Sequence, residues 1–231
     1  MAREGLLIHE SEDRPEPPAP APETPKKKWE NFWYYHKWHM LIVLLAAGLL
    51  AFVLHDLMRP EADYEIGLIT TATYPQEAVE LLEQSIGEYG EDLNGDGRVL
   101  VQIDSFTLDP EDSVSEMQVA NQVKLDADLS SGGCLLFLTD EKSFLHQQEQ
   151  NRLFAKTDGS TPAKGENDPE QMRIPLSGLK ALSKLSYPMQ DGQDLMDRLG
   201  LSLRIYQGSA AEGTKDAEWE ASRRLFEKLA G

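Results

Sequence analysis

The segment Asp92-Leu-Asn94-Gly-Asp96-Gly97-Arg98-Val99 carries oxygen-bearing side chains at alternate positions 92, 94 and 96. Counted from Asp92 as an EF-hand calcium loop, its ligands are Asp92, Asn94, Asp96 and the backbone carbonyl of Arg98. Gly97 falls where the chain must turn sharply and Val99 at the apolar eighth position. The twelfth position is Ile103, where a bidentate carboxylate belongs, and a strand pattern follows where the exiting helix should be. The motif is therefore an incomplete EF-hand. Glu91 and Asp104 are the acids left to close a calcium shell. The other reading is a helix-to-strand turn in which Asn94-Gly95 and Asp96-Gly97 supply left-handed backbone. A calcium ion here would order the loop rather than catalyse.

Other chemistry-bearing residues are sparse. His146 is the only histidine beyond position 60, so a two-histidine metal site is impossible there, and its glutamine-rich helical surroundings suit a surface residue. Cys134 is the only cysteine, which excludes an intrachain disulfide and a thiolate cluster. It opens the apolar run Cys134-Leu-Leu-Phe-Leu138 and reads as a small buried hydrophobe. No GxxxxGK, GxGxxG or GxSxG pattern occurs. Carboxylate pairs such as Glu111-Asp112 and Asp140-Glu141 are inevitable in so acidic a chain; Asp104 and Asp140 are the acids to test for a hydrolase.

The elements that would position these residues alternate. Tyr64–Thr70 reads as a strand, and Thr73 as the N-cap of a helix whose apolar face is Ala78, Leu82, Ile86 and Tyr89. Val99, Val101 and Ile103 mark a second strand. Ser113-Val-Ser-Glu116 reads as a capping box for a helix to about Leu129, with Val119 and Val123 one turn apart. Gly132-Gly133 ends that helix and releases a strand that is apolar at every position, as in a sheet covered on both faces. Asp140 caps a further helix toward Phe154, and 156–170 reads as a mobile loop. Leu201, Leu203 and Ile205 alternate with Ser202, Arg204 and Tyr206 as a half-buried strand would. Ala217, Ala221, Leu225 and Leu229 line a last helix. This order predicts an α/β fold with a three-layer, mostly parallel sheet.

Ahead of that domain lies Met40–Leu54, fifteen residues without a polar side chain, extendable to 38–58. About 20 helical residues cross a bilayer, so 38–58 predicts a single transmembrane signal anchor that contacts lipid. Before it, Lys26, Lys27, Lys28 and Lys37 interleave with Trp29, Phe32, Trp33, Tyr34, Tyr35 and Trp38, a basic-aromatic collar suited to the headgroup level. Only Arg59 follows closely, so the amino terminus is expected in the cytoplasm and 60–231 outside. Residues 1–37 combine that collar with a proline-rich stretch (Pro15, Pro17, Pro18, Pro20, Pro22, Pro25) expected to be disordered. From position 60 on there are 32 acidic and 15 basic residues, net −17, against −1 for the first 59. That field excludes nucleic acid as a partner.

The collar "ENFWYYHKWHM" before a single span resembles the start of a group of uncharacterised bacterial single-span proteins. The stretch Lys124–Glu141, a helix ending in a Gly-rich turn before a buried strand, resembles one lobe of extracellular solute-binding proteins. The resemblances imply the plasma membrane of a bacterium and a surface suited to capture. The chain is thus expected to be a membrane-anchored, non-catalytic extracytoplasmic binding domain whose partner is a protein, a wall component or a small solute. The alternatives are an extracytoplasmic hydrolase using carboxylates and a small subunit acting through its span.

Overall fold

The computed structural model describes residues 24–57, 61–111, 115–189 and 192–231. Most of the proline-rich tail lies outside these. The chain divides into two compact units, Met1–Arg59 and Pro60–Gly231.

In the first unit a single helix, α1 (Pro25–Leu57), carries both the collar and the apolar run. Proline is well suited to a helix's first position, where its missing N–H costs nothing. The collar therefore belongs to the helix and not to the tail. At about 1.5 Å per residue α1 is about 50 Å long. It is apolar and long enough to cross a membrane, and none of the side chains in its apolar window is buried.

The second unit is mixed α/β. Its order is β1 (Tyr64–Thr70), α2 (Gln76–Gly87), β2 (Val101–Thr107), α3 (Glu116–Ser131), β3 (Leu136–Thr139), α4 (Glu141–Asn151), α5 (Pro169–Met172), β4 (Ile174–Pro175), β5 (Gly200–Leu203) and α6 (Asp216–Ala230). The described strands form one sheet in the order β2-β1-β3-β5-β4. β1 pairs parallel with β2, Ile66 opposite Ile103, and parallel with β3, Leu68 opposite Leu138. β5 pairs antiparallel with β3, and β4 antiparallel with β5. Four strands thus run one way and β5 the other, a mostly parallel sheet.

Alternation along the central strands feeds two apolar clusters. Ile66, Leu68, Leu136 and Leu138 pack with Leu82 and Ile86 of α2 and with Leu225 and Leu229 of α6. Ile69 and Phe137 join a second cluster with Leu125 of α3 and Phe144 of α4. Within it Phe144 stacks on Phe154 at 4.8 Å between ring centroids. A strand that contributes to both clusters must be apolar at successive positions, which explains the run at 134–138.

Several local expectations need correction. Helix α2 starts at Gln76 with Pro75 as its cap, so Thr73 lies outside it. Helix α3 is capped by Ser115, whose hydroxyl accepts a bond from the Gln118 amide at 3.3 Å. Val119 and Val123 are 57% and 61% exposed; Leu125 is the helix residue that enters the core. In α6 Ala217 is exposed and Trp219 is buried in its place, because Trp219 stacks on Tyr206 at 5.1 Å. β5 is buried at every position rather than half-buried: Leu201 and Leu203 enter the first cluster, and Ser202 between them is covered as well. Arg204, expected on its solvent side, is buried.

Candidate functional site

β1 leads through α2 to β2 on one side of it, whereas the chain leaving β3 goes on to β5 and β4 on the other. The carboxyl ends of β1 and β3 therefore form a topological switch point. Connections diverge there and leave a crevice, the usual ligand position in open α/β sheets. A cleft of about 390 Å³ lies there, lined by Thr71, Tyr74, Asp140, Lys142, Arg173 and Arg198 among others.

Asp140 joins the two strand ends. One carboxylate oxygen accepts bonds from the Thr71 amide at 2.7 Å and the Thr71 hydroxyl at 2.9 Å. The other accepts from the Ser143 amide at 2.7 Å and so caps α4, where a carboxylate also meets the positive end of the helix. Both oxygens are engaged in architecture, which leaves Asp140 badly placed as a general base.

Arg173 forms the opposite wall. Its Nε and Nη2 donate to the Thr139 carbonyl at 3.2 and 3.0 Å, and Nη2 also donates to the Arg198 carbonyl at 2.8 Å. The guanidinium lies across Gly200, where a Cβ would come within 2.5 Å of Nε. Only a glycine leaves room for it. No carboxylate among the described residues lies within ion-pair distance of Arg173. Burial pushes its pKa down, against the pull of Glu141 and Asp140. Tyr74 is buried beside it and its hydroxyl donates to the Leu195 carbonyl at 3.1 Å. Burial, then the Asp140 charge, raises that phenol's pKa. On either side of Asp140, the hydroxyls of Thr139 and Ser143 are buried without a hydrogen-bond partner. Unsatisfied buried hydroxyls are uncommon and call for a cause.

Of the residues singled out from the sequence, Asp140 lies in this cleft and the others lie elsewhere. The loop with Asp92, Asn94, Asp96 and Arg98 precedes β2, at the amino-terminal end of the parallel strands. The Asp92 carboxylate accepts from the Gly95 amide at 2.6 Å and the Gly97 amide at 2.8 Å. Asn94 and Asp96 accept from the amides two residues on, at 2.9 and 2.8 Å. Gly95 and Gly97 have φ of 77° and 83°, the left-handed backbone the turn reading requires. Among the described residues no three His, Cys, Asp or Glu side chains are gathered closely enough to share a metal. Glu91 is held instead by Arg224 at 3.0 Å and Lys228 at 2.8 Å, and Asp104 by Lys124 at 3.0 Å.

The residue the sequence reading missed is Asp63. It is 7% exposed, and its carboxylate accepts from the amides of Leu93 at 2.7 Å, Asn94 at 3.2 Å and Leu100 at 2.8 Å. An acid immediately before a strand, beside a loop with unpaired amides, is the signal that could have found it.

Cys134 is fully buried, and burial together with Asp128 raises its thiol pKa, so it is no nucleophile. His146 is half-buried and lines a shallow groove with Val119 and Val123, away from the cleft residues. Asp104 lies within β2 and Asp140 follows β3, and among the described residues no nucleophile–base pair is assembled around either. The cleft offers fixed cations and polar side chains, an arrangement suited to holding a ligand. No family model matches the chain, and no curated protein or solved structure matches it.

Proposed function

We propose that the chain is a membrane-anchored extracytoplasmic binding domain that captures a small polar solute or wall fragment in the cleft between β1 and β3. In this reading residues 38–58 cross a bacterial plasma membrane once, with the amino terminus in the cytoplasm. Residues 60–231 stand outside as a three-layer domain, helices on both faces of the sheet.

The observation that carries the reading is Arg173. A half-buried guanidinium at a switch point, held by carbonyls and with no carboxylate of the described residues at ion-pair distance, is a preformed receptor for a polar group that carries an acceptor. The nearby Asp140 and Glu141 act on it only from further off. The test is a thermal-shift screen of the full chain in detergent against amino acids, sugars and soluble wall fragments. Hits are expected to lose their effect in Arg173→Gln. A hit indifferent to that change, or sustained turnover of any compound, contradicts the proposal.

A second reading places the partner on the span. The rings of Trp29, Trp33, Tyr34, Tyr35 and Trp38 are all exposed on α1, and Trp33, Lys37, Trp38 and Leu41 border a groove of about 400 Å³. Replacing 26–58 with an unrelated span separates the two. Loss of co-purifying proteins assigns the function to the span; their retention assigns it to the domain.

A further inference from the structure

A second cavity, of about 420 Å³, lies at the other end of β5, where the chain leaves the strand. Its polar lining is Asn151, Arg152, Thr161, Arg204, Gln207 and Ser209. No acidic residue lines it, although the unit around it carries net −17.

Both arginines are unusual. Arg204 is 5% exposed, and Nη2 donates to the Leu129 carbonyl at 2.6 Å and Nη1 to the Cys134 carbonyl at 3.3 Å. Leu129 lies in the last turn of α3, whose negative end suits a cation. The remaining N–H groups of this guanidinium have no acceptor among the described residues, and no carboxylate lies within ion-pair distance. The acid that acts on it electrostatically is Asp128, whose oxygens are engaged by the Cys134 amide at 3.1 and 3.2 Å. A buried charge that makes no direct ion pair is costly, and Asp128 offsets it only in part.

Arg152 follows α4 and is the one non-glycine residue with a left-handed backbone among those described, at φ 48°. Glycine is the usual residue at such a helix end. An arginine there carries backbone strain, and strain of this kind clusters at ligand sites. One Nη2 bond to the Pro162 carbonyl at 3.2 Å orients its guanidinium, again with no acid within ion-pair distance.

We propose that this cavity binds a small oxyanion, a carboxylate or a phosphate, between the guanidinium groups of Arg152 and Arg204. The Gln207 amide and the second Asn151 N–H supply the neutral donors. The other Asn151 N–H is held by Gln147 at 2.7 Å, and the Thr161 hydroxyl donates to the Gln207 side-chain oxygen at 3.5 Å, which orients that amide. The site is separate from the Arg173 cleft and stands or falls independently of it.

Isothermal titration of the full chain in detergent, at ionic strength fixed with sodium chloride, tests this with inorganic phosphate and with citrate as separate probes. The expected result is saturable binding of at least one of them, and whichever binds identifies the class. Arg152→Gln should weaken it about tenfold or more, as loss of a charge-assisted bond implies. Lys184→Gln, an exposed cation outside the cavity lining, should leave it unchanged. Arg152→Gly should weaken binding equally while raising the thermal midpoint, because it removes the strained backbone along with the charge. Absence of saturable heat for both probes at about 10 mM, an affinity too weak for a built site, would overturn the proposal. So would binding indifferent to both Arg152 variants.

Discussion

Asp63 and Asp140 sit at opposite ends of β1, and each uses a carboxylate to tie down backbone amides that a strand end leaves unpaired. Charged acceptors make the stronger hydrogen bonds, and removing one strands the donors it served. Asp63→Ala is therefore expected to cost about 3 kcal/mol in urea unfolding. Asp92→Ala, at an exposed position, should cost a small fraction of that. An equal cost for both would remove Asp63 from its organising role. Calcium titration separates the two readings of the 92–98 loop. A midpoint that rises with millimolar calcium, and no longer does in Asp92→Ala/Asp96→Ala, identifies a bound ion. An unchanged midpoint leaves the turn as the whole account. Glu91 supplies a pH signature. Bonds from Lys228 and Arg224 hold its carboxyl below the ordinary 4.5. A depressed folded pKa contributes stability that is present above the unfolded value and lost as pH falls through the folded one. The wild type should thus lose stability below about pH 4.5, and Glu91→Gln should lose less across that window. Because the pair is exposed, the difference should shrink in high salt.

Helix α3 illustrates what local sequence can and cannot convey. Its end is written in the chain, since Gly132 at φ 73° closes it with its amide bonded to Asp128. Its start is not, for the cap is Ser115, whereas the capping-box pattern begins at Ser113, which lies outside the described residues. A Cβ on Gly132 would lie 3.1 Å from the Ala211 backbone, so Gly132→Ala combines strain with crowding. It should cost about 1–2 kcal/mol, read from the denaturation midpoint. The buried face of α3 is not legible, because Val119 and Val123 have the spacing of core residues but remain exposed. Which side of a helix meets a sheet is decided by its neighbours. β5 is misread for the same reason: Ser202 and Arg204 look like solvent positions, yet both are buried, Arg204 with its guanidinium on the Leu129 carbonyl at the end of α3. Nor could 174–197 be read, since its described residues form a two-residue strand and isolated turns with no periodicity. The cleft was invisible because Thr71 and Asp140 are 69 positions apart and Arg173 reaches Thr139 across 34. Spacing analysis finds sites built from one segment, and this one comes from four.

As a whole molecule the chain joins an exposed apolar helix to a domain with its own core of two apolar clusters. Two apolar clusters, rich in fully buried Leu, Ile and Phe, should make residues 60–231 fold without the span. Expressed alone, that segment is expected to be monodisperse and to unfold in one cooperative transition; aggregation or a graded transition would show that the span completes the fold. The central claim is that this domain stands outside the membrane. It is tested most directly by labelling with a membrane-impermeant maleimide. Cys134 is fully buried and its thiol strongly protonated, so the native chain should stay silent until denatured. Lys164→Cys, on an exposed loop, should label in intact spheroplasts as fully as after lysis, while Ser11→Cys in the amino-terminal segment should label only after lysis. The reverse pattern, with position 164 protected and position 11 open, would contradict the account.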